Sequence, residues 1–249
     1  MSDRAAHAPP VATRVLRLLV AAAGTAVLAG PVLSASAGPA SFAPLFARSV
    51  QGRRVEARHV GLMTGPVTLI FGAIHGDESA GVAIANDLVD DRSHLRANIW
   101  VVASLNPDGV AAHRRQNAHG VDLNRNFPWG WRHAGRPGDA QFGGPSALSE
   151  PESRFAATLI GRLRPRITIW FHQPLGLVDL SGGSLAIERR FARLAQLPTR
   201  QLARYRGSAS TWQNHHFTAT TAFVVELPPG ALGRRSVERY ARAVAEIAR

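Results

Sequence analysis

Four side chains in this sequence have the types and positions to do chemistry together: His75, Glu78, His172 and Glu226. His75 and Glu78 follow an apolar run, Val67 to Phe71, that ends in Gly72. Imidazole nitrogen and carboxylate oxygen are ordinary zinc ligands, and a catalytic zinc takes three protein ligands plus water, so this pair needs a third ligand from elsewhere. The chain has no cysteine, which leaves only His, Asp and Glu to hold a metal. His172 ends a second apolar run, Ile167 to Phe171, just as His75 follows the first. The competing reading is ordinary: His75 stacks in a turn while Asp77 and Glu78 favour the start of a helix, where carboxylates suit the macrodipole. Glu226 ends a third run, from Thr221, and a carboxylate among apolar neighbours is costly to bury. It is either a general base or the ion-pair partner of one of the many arginines.

The elements that must position these groups can be read from periodicity. Val67–Phe71 is β-branched and aromatic, as a buried strand should be, and Ala80, Val82, Ala83 and Ala85 form a helical stripe that runs from Glu78 to about Asp91. His75 and Glu78 then sit on a strand-to-helix turn at the carboxyl edge of a sheet, where crevices form, with Gly72 and Gly76 supplying backbone freedom. Strand or hairpin is expected over Val50–Val60, and strands over Asn98–Ala103, Ile167–Phe171 and Thr221–Leu227. Ser104–Gly109 has turn chemistry. Arg114–Gly144 lacks periodicity and reads as a functional loop region. Helices are expected from an N-cap at Ser149 to about Leu163, over Leu185–Leu197 and over Ser236–Ala248. Gly207–His216 reads as a polar loop around Trp212, and there is no internal repeat.

The 249 residues, 45% of them hydrophobic, are enough for one catalytic-size domain. Residues 1–37 read as a signal peptide: basic Arg4, Arg14 and Arg17, apolar Leu18 to Leu33, and Ala35-Ser36-Ala37 as a cleavage site. The alternative, an N-terminal membrane anchor, is weakened by a short apolar stretch broken at Gly24, Gly30 and Pro31. Residues 38–48 are then a linker and 49–249 the catalytic domain of a secreted or cell-wall-associated protein. The formal charge is +12 and every cation is arginine, which favours acidic partners. For an exported chain, anionic wall polymer fits better than nucleic acid, for which no aromatic-basic motif is present.

His75-x-x-Glu78, Gly120-Val-Asp-Leu-Asn-Arg-Asn-Phe127, the distant His172 and Phe223-Val-Val-Glu-Leu227 together resemble the zinc carboxypeptidases of the carboxypeptidase A family. Within that family the chain looks most like the murein peptide amidase branch, which cuts the γ-D-glutamyl–diaminopimelate bond of cell-wall peptides. The resemblance implies a mixed, largely parallel twisted sheet with helices on both faces, a three-layer α/β sandwich. It implies one zinc per chain held by His75, Glu78 and His172, with Glu226 as the base and Arg115 polarising the carbonyl. Asn124 and Arg125 match the pair that clamps a substrate carboxylate, and Asp122 matches a carboxylate that orients the first zinc histidine. Arg114, next to Arg115, is the alternative if the register slips. The family's mobile tyrosine has no clear counterpart, since Tyr205 lies in an arginine-rich stretch. Asp179 is either a contact for a cationic group or a loop cap. The implied function is hydrolysis of a peptide or γ-glutamyl amide bond next to a free carboxylate. The alternatives are an N-acyl amino acid deacylase of the succinylglutamate desuccinylase and aspartoacylase type, or a non-catalytic wall-binding protein of the same fold.

Overall fold

The computed structural model describes residues 45–91 and 95–249, which belong to a compact unit, Phe42–Arg249. The signal peptide and most of the linker expected from the sequence lie outside the described residues. Among those described, no helix is long and apolar enough to cross a membrane.

In chain order the elements are β1 (Phe46–Arg48), β2 (Arg54–Glu56), β3 (Arg58–Gly61), β4 (Val67–Phe71), α1 (Ala80–Asp90), β5 (Asn98–Val102) and α2 (Pro107–Ala112). There follow α3 (Pro151–Leu163), β6 (Ile167–His172), β7 (Leu177–Asp179), α4 (Leu185–Ala195), β8 (Thr199–Arg200), α5 (Ala209–His216), β9 (Thr221–Glu226) and α6 (Arg234–Ala248). β1 and β2 form a separate antiparallel pair, so the end of the expected linker is already folded. The remaining strands make one seven-stranded sheet in the order β3-β5-β4-β6-β9-β7-β8. Its centre, β5-β4-β6-β9, is parallel, and β3 and β7 run antiparallel to their inner neighbours.

Side-chain alternation along the strands divides the core into two layers. Ile70, Ile169, Phe171, Phe223 and Val225 pack with α1, α4 and α6 on one face. Leu69, Phe71 and Trp170 pack with α3 and α5 on the other, where Phe71 and Trp170 stack at 3.9 Å between ring centroids. β4 and β6 are buried on both sides, which explains why they read as continuous apolar runs instead of alternating ones. The expected mixed sheet with helices on both faces is therefore the observed architecture.

The structure corrects several local expectations. α1 begins at Ala80, with Ser79 at the cap and no acidic residue in its first turn, so Asp77 and Glu78 are not helix-dipole partners. Ser104–Gly109 runs into α2, because Asn106 accepts from Gly109 N at 2.9 Å and Pro107 starts the helix. Ser149 does not cap α3; Glu150 holds that position, ahead of Pro151. The polar stretch before Phe217 is helix α5, whose first N–H, at Ala209, is capped from a distance by Asn124 Oδ1 at 2.9 Å. β7 and β8, of three and two residues, had no expectation.

Candidate metal centre and cleft

β4 and β6 are parallel neighbours, so the segments leaving their carboxyl ends meet. His75 and Glu78 arrive on the loop from β4 to α1, and His172 is the last residue of β6. One ligand atom from each lies within 4.8 Å of the others. Glu78 sits between the histidines: Oε1 is 3.0 Å from His75 Nδ1 and Oε2 is 2.8 Å from His172 Nδ1. His75 is 1% exposed, and its Nδ1, though close to Glu78, makes no properly directed hydrogen bond. A buried imidazole nitrogen, oriented but unsatisfied, beside a second imidazole and a carboxylate, fits the N/O donor set of zinc.

Glycine matters here through space, not torsion. Gly76 has no left-handed φ, but a Cβ on it would lie 1.9 Å from the backbone of Gly109, so the ligand loop can lie directly against the start of α2. Gln173, which the sequence did not single out, braces the same corner. Its N donates to Glu78 Oε2 at 3.2 Å and its Oε1 accepts from Ala80 N at 3.0 Å. A polar residue directly after a strand-end histidine was the available signal.

The family-matched loop interleaves anchors with polar groups. Val121, Leu123 and Phe127 are fully buried, and a short 3-10 turn at Leu123–Arg125, capped by Asp122, turns the residues between them toward the cleft. Asp122 Oδ1 lies 3.0 Å from His75 Nε2, which fixes the ring so that Nδ1 faces Glu78. Arg115 bridges both carboxylates, with Nη1 to Glu78 Oε1 at 2.8 Å and Nε to Asp122 Oδ2 at 3.1 Å. Arg115, not the exposed Arg114, lines the cleft. Asn124 lines it too, with Oδ1 occupied by Ala209 N and its amide nitrogen unpartnered among the described residues. Arg125 is held by Gln141 Oε1 and its neighbour's carbonyl, at 2.9 and 2.8 Å, and lies 4.2 Å over the Tyr205 ring.

Glu226 pairs in register with His172 across β6 and β9, so both side chains leave the same face of the sheet side by side. It has no arginine partner among the described residues, and its Oε2 is buried without a hydrogen bond. The ion-pair explanation of this carboxylate is thereby set aside. Asp179 also lines the cleft, but its oxygens accept from Arg204 Nη1 at 2.7 Å, Ser181 Oγ at 2.8 Å and Leu202 N at 2.8 Å. It is not free to meet a substrate cation.

The ionisation pattern follows from these contacts. Burial penalises the His75 imidazolium, but Asp122 and Glu78 outweigh that and raise its pKa to about 9, so without metal His75 is protonated at neutral pH. A metal must displace that proton, and metal affinity therefore falls as pH drops. Burial opposes charge on Glu78 and Asp122 as well, yet the neighbouring histidines hold both below the ordinary carboxylate range. Glu226 goes the other way: burial raises it, and with Glu78 adding repulsion the pull of His172 offsets only part of that rise. Two carboxylates in one cleft are thus driven apart, the pattern expected of groups with different acid–base tasks.

The model of the zinc carboxypeptidase family matches residues 44–188, more than half of the sequence. The chain belongs to the zinc carboxypeptidase family. Among this family's proteins, murein peptide amidase A of Escherichia coli K12 is 34% identical over 122 residues, covering 45% of this chain and 50% of that protein. The chain therefore spans half the length of that relative. The Vibrio campbellii protein of the same name is 31% identical over 175 residues, 65% of this chain and 69% of its own. Murein-tripeptide amidase MpaA from Escherichia coli O157 superposes with a TM-score of 0.68 at 27% identity, covering 88% of this chain and 96% of its own. The family match stops at residue 188, so the placement of Glu226, Arg204 and Tyr205 rests on geometry.

Proposed function

We propose that this zinc carboxypeptidase-family chain is an exported amidase. It hydrolyses a peptide or γ-glutamyl amide bond next to a free carboxylate, with the γ-D-glutamyl–diaminopimelate bond of murein peptides as its substrate. The observation that carries the reading is the pairing of His172 with Glu226 at adjacent strand ends, in the same cleft as His75 and Glu78, where the Glu226 Oε2 is buried without a hydrogen bond and burial disfavours its charge. His75, Glu78 and His172 hold the ion, and Asp122 fixes the orientation of the first. Zinc, when bound, supplies Lewis acidity that polarises a carbonyl and lowers the pKa of water. Glu226, raised by burial, takes the proton of the attacking water and returns it to the leaving amine. Arg115 is locked by Glu78 and Asp122 with N–H groups to spare, which places a fixed positive charge where an oxyanion develops. Asn124 Nδ2 and the Arg125 guanidinium bind the carboxylate of the leaving portion. Burial acts against the charge of Arg125, with Asp122 offsetting and Arg115 adding to it, so a bound carboxylate relieves the site.

The murein substrate is supported by the names of the relatives, and export by the composition of residues 1–37. The test is to compare turnover of a γ-D-glutamyl–diaminopimelate peptide with that of N-succinyl and N-acetyl amino acids, using zinc-loaded protein. A preference for the γ-glutamyl peptide is expected. Faster turnover of the acyl amino acids would replace this reading with the deacylase, and no turnover of either would point to a binding protein.

A further inference from the structure

A hollow of about 420 Å³ lies between β1 and α3 and shares no lining residue with the catalytic cleft. Its floor is apolar: Leu159 of α3 is buried and Phe155 half-buried, with Leu45 and Pro151 beside them. On one side Phe46 and Arg48, two residues apart, leave the same face of β1, and both are exposed. On the other side Arg154, Thr158 and Arg162 form an exposed stripe along α3, at i, i+4 and i+8.

The positive charge of this hollow is uncompensated. No Asp or Glu lines it. Among the described residues Arg48 reaches only the Gly52 carbonyl, Arg154 only the carbonyls of Leu148 and Ser149, and Arg162 has no hydrogen-bond or ion-pair partner. Arg54 lies 4.3 Å over the Phe46 ring, but it is paired with Glu56 and adds no free charge. The Phe46 ring is itself 43% exposed. A soluble polyanion would gain from the arginines but leave that ring and the apolar floor in water. A lipid surface suits both, taking the ring to the acyl boundary while the guanidinium groups stay with the headgroups.

The place of the hollow in the chain points the same way. Leu45, the first described residue, lines it. The apolar stretch Leu18 to Leu33, read above as part of a signal peptide or anchor, is joined to Leu45 by a segment that spans about 40 Å at full extension. A chain that crosses a bilayer by that stretch therefore has this face within reach of the membrane it has just left.

We propose that this hollow docks the protein on an anionic lipid surface, with Phe46 inserted and Arg48, Arg154 and Arg162 on the phosphate headgroups. Docking takes over from the N-terminal segment once that is cleaved, and it uses none of the residues of the cleft. The inference does not depend on which bond the cleft hydrolyses.

The test is co-sedimentation with vesicles of phosphatidylcholine alone and of phosphatidylcholine with an equal share of phosphatidylglycerol. It uses the chain from Gly38, which keeps the whole compact unit and lacks the apolar stretch. Each arginine near an anionic surface contributes about fivefold in affinity, so the anionic vesicles should bind roughly a hundredfold tighter than the neutral ones. Arg48→Gln/Arg162→Gln should lower that binding by about 25-fold, and Phe46→Ser by about five- to tenfold. Arg189→Gln/Arg242→Gln removes the same charge from exposed positions on α4 and α6, across the sheet, and should change it by less than about twofold. Equal binding to the two vesicles, or binding to neither, overturns the proposal. So does an Arg48/Arg162 variant of unchanged Tm that binds like its parent, or an Arg189/Arg242 variant that loses as much, since net charge would then be responsible. If Phe46→Ser of unchanged Tm binds like its parent while the Arg48/Arg162 variant does not, the hollow takes a soluble polyanion and the lipid proposal falls. Hydrolysis in solution should be the same in all these variants, which separates a failure here from a failure of the functional reading.

Discussion

The metal centre and the arginine-lined rim occupy the same edge of the sheet, but they are built in opposite ways. At the centre both carboxylates are held more than once: Glu78 by His172, Arg115 and Gln173 N, and Asp122 by His75 and Arg115. At the rim, Arg132 and Arg206 are exposed with no ion-pair partner among the described residues, and Arg125 leans on the exposed ring of Tyr205. The difference follows from the tasks. Catalytic geometry tolerates little error and needs a bracing shell, whereas an anion is attracted at long range by loosely placed charge. Substitutions should therefore fall in two tiers, severe at the centre and graded at the rim.

The largest effect is expected from His172→Ala. It removes one of three ligands, so bound zinc and turnover should both be lost, the latter by roughly 10⁴-fold or more. Metal analysis together with kinetics checks this, and a variant that kept stoichiometric zinc and full turnover would show that the ligand set is wrong. Glu226→Gln should keep zinc and lose roughly 10³-fold in kcat. Its stability tells the same story with a definite sign. A carboxyl whose folded pKa is raised by burial stabilises the fold while protonated, and that contribution is lost as pH rises through the folded value. Once ionised, the buried Glu226 is thus a cost, and glutamine removes it, so the metal-free variant should melt no lower than its parent. A clear drop in Tm would instead reveal a structural ion pair.

The two tiers also differ in how far the sequence revealed them. The centre was legible because three apolar runs each lead to a polar residue, and burial on both faces makes such runs conspicuous. Parallel pairing of β4, β6 and β9 then brings their ends together. The rim was not legible, because residues 200–206 have no periodicity and β8 is two residues long. Their placement depends on Gly207 touching Arg125 across more than eighty residues of chain. α5 was missed for a related reason: its cap, Asn124, comes from another loop. Short-range signals cannot register a contact made by tertiary structure.

A smaller effect should separate the clamp from its surroundings. Arg125→Ala should lower kcat/KM by about 10- to 100-fold, and Arg125→Lys should recover only part of it, because an ammonium lacks the paired N–H fork. Amidating the leaving-side carboxylate should cost the unaltered protein as much, but the Arg125→Ala variant far less, since both changes remove one contact. If the two losses in log kcat/KM simply add, the carboxylate binds elsewhere, and Arg115 or the arginines of the rim become its partner.

The smallest effect tests whether the rim is as loosely built as it looks. Tyr205 is 50% exposed, and its ring lies under the Arg125 guanidinium with the cation 4.2 Å from the centroid. A cation–π contact at such an exposed site contributes about 0.5–1 kcal/mol, so losing it should weaken substrate binding by about two- to fivefold. Tyr205→Leu removes the aromatic face and should raise KM by that factor, with kcat nearly unchanged. Tyr205→Phe keeps the face and should stay within about twofold of the parent. If instead Tyr205→Phe lowered kcat more than tenfold, the phenol hydroxyl would be touching the reacting substrate. Tyr205 would then belong with the braced centre, and the contrast between the two regions would fail at this residue.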